Sequence, residues 1–119
     1  MTPFAALMRS IVFQQLSGKA AGTIWGRVVA ACPCSRYPNP ESVLSVDHET
    51  LRSAGLSKNK ALAVRDLAEK TLEGTVPSRR SLNRMDDEAI ISCLTEVRGV
   101  GRWTVEMLLM FHLGRPDVF

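Results

Sequence analysis

The sequence predicts an all-α fold, a compact bundle of short helices, and three observations carry that reading. Apolar residues recur three and four positions apart along most of the chain, the spacing that gathers side chains on one face of a helix. Runs of β-branched residues with alternating polarity are missing. Glycines and prolines fall at intervals that open and close helices. At 119 residues and 13.1 kDa the chain is expected to form one domain, 1–119. Hydrophobic residues make up 45% and charged residues 23%, close to ordinary globular usage, which argues against disorder and collagen-like structure. No apolar run approaches the roughly 18 residues of a membrane span, and no charged segment followed by an apolar one opens the chain, so neither a membrane partner nor a secretory signal is expected.

The elements follow in order. Pro3 suits the first turn of a helix, and Phe4, Leu7, Met8, Ile11 and Val12 carry its apolar face to about Leu16. Ser17 is placed to cap a second helix with Ala20, Ala21, Ile24, Trp25, Val28 and Val29, ending near Cys32-Pro33. Cys32 to Pro40 holds three prolines and reads as a loop; Pro40 then starts a short helix to Val46. Asp47 is a good N-cap for His48 to Ala54, with Gly55 just past the end. Ser57 caps a longer helix bearing Ala61, Val64, Leu67, Ala68 and Leu72, closed by Gly74. Val76 to Ser81 reads as a connector, with one helical turn after it. Asp86 opens a helix with Ile90, Ile91 and Leu94 inward, and a last helix runs from Arg102 or Trp103 to about Leu113 before Gly114 and Pro116.

Charge and cysteine content set bounds. Fifteen Lys and Arg against 12 Asp and Glu give a net charge of +3, which permits an anionic partner without demanding one. Eleven of those cations are Arg, the better residue for phosphate and base edges. Three cysteines, Cys32, Cys34 and Cys93, leave an odd thiol in any disulfide scheme, and His48 and His112 stand alone. A metal site built from side chains is therefore not expected, and the thiols read as reduced.

The segment Leu94 to Phe111, LTEVRGVGRWTVEMLLMF, is the most informative. One helix ends and another begins across a turn with glycines at 99 and 101. Glycine leaves the main chain uncovered. The next helix presents unpaired N–H groups and the positive end of its dipole, an anion site with Arg102 beside it. A plain helical hairpin whose glycines serve packing is the competing interpretation.

The surrounding residues resemble a helix-hairpin-helix motif, in which turn N–H groups hold a DNA phosphate, often with a Na⁺ or K⁺ on turn carbonyls. Two further segments, IVFQQLSGKAA at 11–21 and GLSKNKALAVRDLA at 55–68, resemble the helix-hairpin-helix DNA glycosylase superfamily, in the same order along the chain. The combination is most similar to the 3-methyladenine DNA glycosylase II branch, which repairs alkylated bases. No cofactor is implied beyond that monovalent ion.

The resemblance implies roles residue by residue. Such enzymes flip a damaged nucleotide out of the duplex, and the gap is plugged from the turn where Gln15 and Leu16 stand here, with Ser17 reaching the minor groove. Leu16 reads equally well as a core residue at a helix end. Gly99, Val100 and Gly101 would form the phosphate-binding turn, with N–H donors at the two glycines, and Arg102 and Thr104 nearby as further phosphate contacts. The carbonyls of Thr95, Val97 and Val100 would hold the cation. Trp103 and Met107 would line the base pocket, an electron-rich indole suiting a cationic alkylated purine; a core role for Trp103 is the alternative. Trp25 reads as core, and Lys58 and Lys60 as solvated, or facing DNA. At position 98 an arginine stands where many relatives carry proline.

The catalytic Asp of the family lies a few residues past a D-V-F segment, and this chain ends at Asp117-Val118-Phe119. No catalytic residue is therefore assigned, and the chain is expected to be truncated relative to the family and weak or inactive in base release. The function implied is base-excision repair of alkylated purines on double-stranded DNA. The alternative is a non-catalytic module for distorted or abasic duplex. Its place would be the bacterial nucleoid in the cytoplasm, or the nucleus of a eukaryote. Apolar surface that further helices would cover could drive self-association.

Overall fold

In a computed structural model of the chain, residues 2–14, 16–33, 37–111 and 114 are described, Phe111 by its backbone alone. They form eight helices: α1 (Pro3–Phe13), α2 (Gly18–Ala31), α3 (Pro40–Leu44), α4 (His48–Ser53), α5 (Lys58–Glu73), α6 (Arg79–Leu82), α7 (Asp87–Leu94) and α8 (Arg102–Phe111). The described residues contain no strand. A Cα radius of gyration of 13.6 Å is that of a well-packed chain of this length.

The helix starts expected at Ser17, Asp47, Ser57 and Asp86 form, and Thr2, Asn39 and Ser78 cap three more helices. Side chains of Thr2, Ser17, Asn39, Asp47, Ser57, Ser78 and Asp86 each accept an N–H in the first turn of the following helix. Each such cap contributes about 1 kcal/mol. Gly55 and Gly74 take positive φ just past α4 and α5, the conformation that ends a helix cheaply only at glycine.

Three boundaries differ from expectation. α1 stops at Phe13 rather than Leu16, because Gln14 turns to φ −59° and ψ 133° and redirects the chain. α3 and α4 end at Leu44 and Ser53, before the expected Val46 and Ala54. α6 begins inside the stretch read as a connector and ends one residue past it, so the single turn expected after Ser81 starts earlier, at Arg79, behind a Ser78 cap. The expected end of α8 at Leu113 lies outside the described residues.

α1 and α5 form the centre. Seven of the eleven residues of α1 are buried, and α5 turns Ala61, Ala63, Val64, Leu67 and Ala68 inward against α1, α3 and α4. α8 packs on α7 and α1 through Val105, Leu108 and Leu109. α2 is different: only Ala21 and Val28 are buried, so it lies along one flank, with Ile24 and Trp25 half-buried against the core. Trp25 is thus a core-margin residue. Cys32 is buried; Cys93 is half-buried with its Sγ donating to Thr75 O at 2.8 Å, and burial, with Glu96 nearby, raises its thiol above the ordinary range.

Candidate nucleic-acid interface

The turn between α7 and α8 is built mostly by backbone bonds. Val97 donates its N–H to Leu94 O and Val100 to Val97 O, both at 3.1 Å. Gly99 has φ +81°, and a Cβ there would lie 3.0 Å from Ala63 Cβ on α5, so glycine is required twice over. Gly101 is unlike it: a Cβ would meet nothing within 4 Å, and its backbone needs no positive φ. Glycine at 101 leaves open space above the main chain.

One donor of the turn is held by a side chain. The Arg98 N–H reaches Asp66 Oδ2 at 2.8 Å, and Lys70 Nζ holds Asp66 Oδ1 at 2.7 Å. Burial pushes the Asp66 carboxyl up, but the Arg98 N–H and the Lys70 ammonium outweigh it and leave the group below the usual Asp value. A proline at 98 has no N–H to give, so arginine at this position adds a bond to α5.

No acceptor among the described residues takes the N–H of Gly99, Gly101, Arg102 or Trp103. Gly99, Gly101, Arg102 and Trp103 are exposed. These donors at the N-terminus of ten-residue α8, with its dipole behind them, are shaped for an anion. The Thr95 and Val100 carbonyls have no donor among the described residues, while Val97 O already accepts Val100 N–H, leaving its second lone pair. Among the described residues no group of three or more His, Cys, Asp or Glu is placed to hold a metal.

The side chains around the turn divide sharply. Trp103 is 67% exposed, which removes the core interpretation of this indole. Met107, one turn later, is half-buried. Arg102 is engaged: Nη2 and Nη1 meet the two Glu88 oxygens at 2.5 and 3.1 Å, and Glu106 lies 3.7 Å from Nε. The Arg102 bond holds the Glu88 carboxyl below its usual range. Thr104 is buried at 8% exposure, and its hydroxyl oxygen accepts from Gln14 Nε2 at 3.4 Å.

The turn between α1 and α2 lies against this hairpin, 85 residues away in sequence. Gln14 Nε2 donates to Gly99 O at 3.0 Å. Leu16 stands 39% exposed outside either helix, so it is not a core residue. Ser17 Oγ accepts the Ala20 N–H at 3.3 Å and keeps its own O–H for another partner. Gln15 lies outside the described residues, as does Asp117. Lys60, read as solvated or DNA-facing, instead turns inward and donates to Val12 O at 2.9 Å and Gln14 O at 2.5 Å. Gln14, Asp66 and Glu88 were missed by sequence reasoning, and Lys60 was read in the wrong role. A lysine and two acids on helical faces give no local signal, and Gln14 was overshadowed by its neighbour.

Residues 8–119 match the HhH-GPD superfamily of base excision DNA repair proteins. The chain belongs to that superfamily. Its all-α architecture is the HhH-GPD fold. A DNA-3-methyladenine glycosylase 1 of Schizosaccharomyces pombe is 39% identical over 116 residues, 98% of this chain and 51% of that protein. A crystal structure of a DNA-3-methyladenine glycosidase from Bacillus halodurans superposes with a TM-score of 0.92 at 40% identity, over 100% of this chain and 54% of that one. An S. pombe 3-methyladenine DNA glycosylase in complex with abasic DNA gives 0.88 at 37% identity, covering 96% and 55%. The HhH-GPD chain described here therefore spans about half the length of these relatives. No helix among the described residues is long and apolar enough to cross a membrane.

Proposed function

We propose that this chain is the DNA-gripping half of an alkylated-purine N-glycosylase, acting in the nucleoid or, in a eukaryotic cell, the nucleus. The uncovered N–H groups of Gly99 and Gly101 bind a phosphate of double-stranded DNA, with those of Arg102 and Trp103 completing the cradle, while the Val100 N–H stays on Val97 O. A Na⁺ or K⁺ on the carbonyls of Thr95, Val97 and Val100 adds positive charge beneath it. Leu16, with Gln15 beside it in sequence, fills the gap left by a flipped base, and Ser17 reaches the minor groove. Trp103 stacks on the extruded base, with Met107 behind. Arg102 joins the phosphate only by leaving Glu88, and the buried Thr104 serves the turn through Gln14.

The observation that supports this reading most is the Gln14–Gly99 bond, which joins the α1–α2 turn to the α7–α8 turn. The similar proteins bear names of 3-methyladenine glycosylases, which supports the substrate class. A non-catalytic role on distorted or abasic duplex is favoured for the 119 residues alone by one fact: the carboxylates at the hairpin, Asp66, Glu88 and Glu106, are each engaged with cations or a backbone donor.

The test is a titration of an abasic-analogue duplex at rising salt, with base release from methylated DNA measured alongside. Affinity should fall about tenfold between about 50 and 200 mM salt if roughly two phosphates are held, with little base released. Absent or salt-independent binding would overturn the DNA reading. Robust release would assign the chemistry to these residues and remove the non-catalytic alternative.

A further inference from the structure

Lys60 is the anomaly of this molecule. It occupies the first turn of α5, where the helix dipole opposes a cation. It is half-buried, and burial lowers its affinity for a proton. No carboxylate among the described residues pairs with it. A charge in so unfavourable a place persists only when it holds something else in place. What it holds is the carbonyl end of α1, through Val12 O and Gln14 O. Gln14 continues the chain of bonds, accepting from Lys60 at its backbone oxygen and donating from its side-chain amide to Gly99 O.

The three residues of α5 that touch these turns are spaced i, i+3 and i+6. Lys60 holds the α1–α2 turn, Ala63 lies under Gly99, and Asp66 takes the Arg98 N–H. One face of one helix thus sets both turns, and Gln14 ties them directly to each other.

We propose that Lys60 and Gln14 are positioning residues that latch the α1–α2 turn to the hairpin, so that the turn meets a gap in the base stack in register with the phosphate the hairpin holds. The inference rests on the DNA-binding function proposed above. The ligand it concerns is a duplex lacking one base. Neither residue touches DNA; both act through the turn that carries Leu16. An intact duplex, which offers no gap, depends on the hairpin alone and should be far less sensitive to the latch.

The test measures affinity for two duplexes, one intact and one with an abasic analogue at its centre, for the wild type, Lys60→Met, Lys60→Arg and Gln14→Met. Thermal unfolding is recorded for each. The wild type should prefer the gapped duplex. Lys60→Met and Gln14→Met should lose about fivefold or more of that preference, the worth of about one hydrogen bond, and lose proportionally less on intact duplex. Lys60→Arg, which keeps a cation and its donors, should recover part of it. Folded variants with undiminished preference would overturn the latch, as would equal losses on both duplexes, which a merely structural role would give. Gln14→Met keeps the side-chain length and removes only the amide, so it carries the test if Lys60→Met fails to fold. A wild type that binds neither duplex removes the DNA reading and the latch together; one that binds both equally removes the latch alone.

Discussion

The hairpin at 97–102 and the turn after α1 face each other, yet they are held in opposite ways. The hairpin is shaped mainly from within, by a glycine at φ +81° and by backbone bonds among Leu94, Val97 and Val100. The α1–α2 turn begins at Gln14 with no glycine before Gly18, and its opening is set by Lys60, 46 residues along the chain. The first is a local structure that tertiary contacts trim through Asp66. The second is a tertiary structure with little local preference of its own. Under the function proposed above, the hairpin is the grip and the α1–α2 turn presents the plug.

The largest effect that would sharpen this contrast comes from the two hairpin glycines. Gly99→Ala should cost about 2 kcal/mol and lower Tm by several degrees, since the residue is strained at positive φ and its Cβ would press on Ala63. Gly101→Thr should leave stability within about 0.5 kcal/mol, because its Cβ enters open space and threonine caps helices well. Its duplex affinity should nevertheless fall about tenfold, by covering the donors. Calorimetry and anisotropy separate the two; equal Tm losses would erase the distinction between a glycine for the fold and a glycine for a ligand.

A smaller effect follows from Asp66. Its carboxyl lies below the usual Asp value in the folded chain, so its contribution is fully present above the unfolded value, near 3.9, and is lost as pH falls through the lowered folded value. Hydrogen exchange at the Arg98 amide should therefore stay protected at neutral and mildly acid pH. It should open below the ordinary Asp range, before the α1–α2 turn responds. An Arg98 amide unprotected at pH 7 would refute the bond. The smallest effect concerns Arg102. Glu88→Gln frees it from its exposed partner and should tighten duplex binding about twofold at low salt, with a steeper salt dependence. An unchanged affinity would mean that Arg102 stays away from the phosphate.

Much of this was legible in sequence. Caps at Ser17, Asp47, Ser57 and Asp86 and stops at Gly55 and Gly74 are local chemistry, and they placed most helices within two or three residues. The G-V-G turn announced its exposed donors because glycine and a following apolar helix are adjacent in the chain. Leu16 and Trp103 each carry a core alternative beside the plug and base-pocket readings, since an apolar side chain bears no mark of which neighbour will cover it; the structure exposes both. Lys60 and Asp66 were not legible. On a helical period each is one more polar residue, and only the fold brings α1 and the hairpin against that face of α5.

The most direct measurement is a two-dimensional NMR titration of the amide-labelled chain with abasic-analogue duplex. The backbone amides of Gly99, Gly101, Arg102 and Trp103 should shift most and earliest, at stoichiometric duplex, with Leu16 following. Those four amides unmoved while signals elsewhere shift would mean that DNA, if it binds, does not bind at the hairpin.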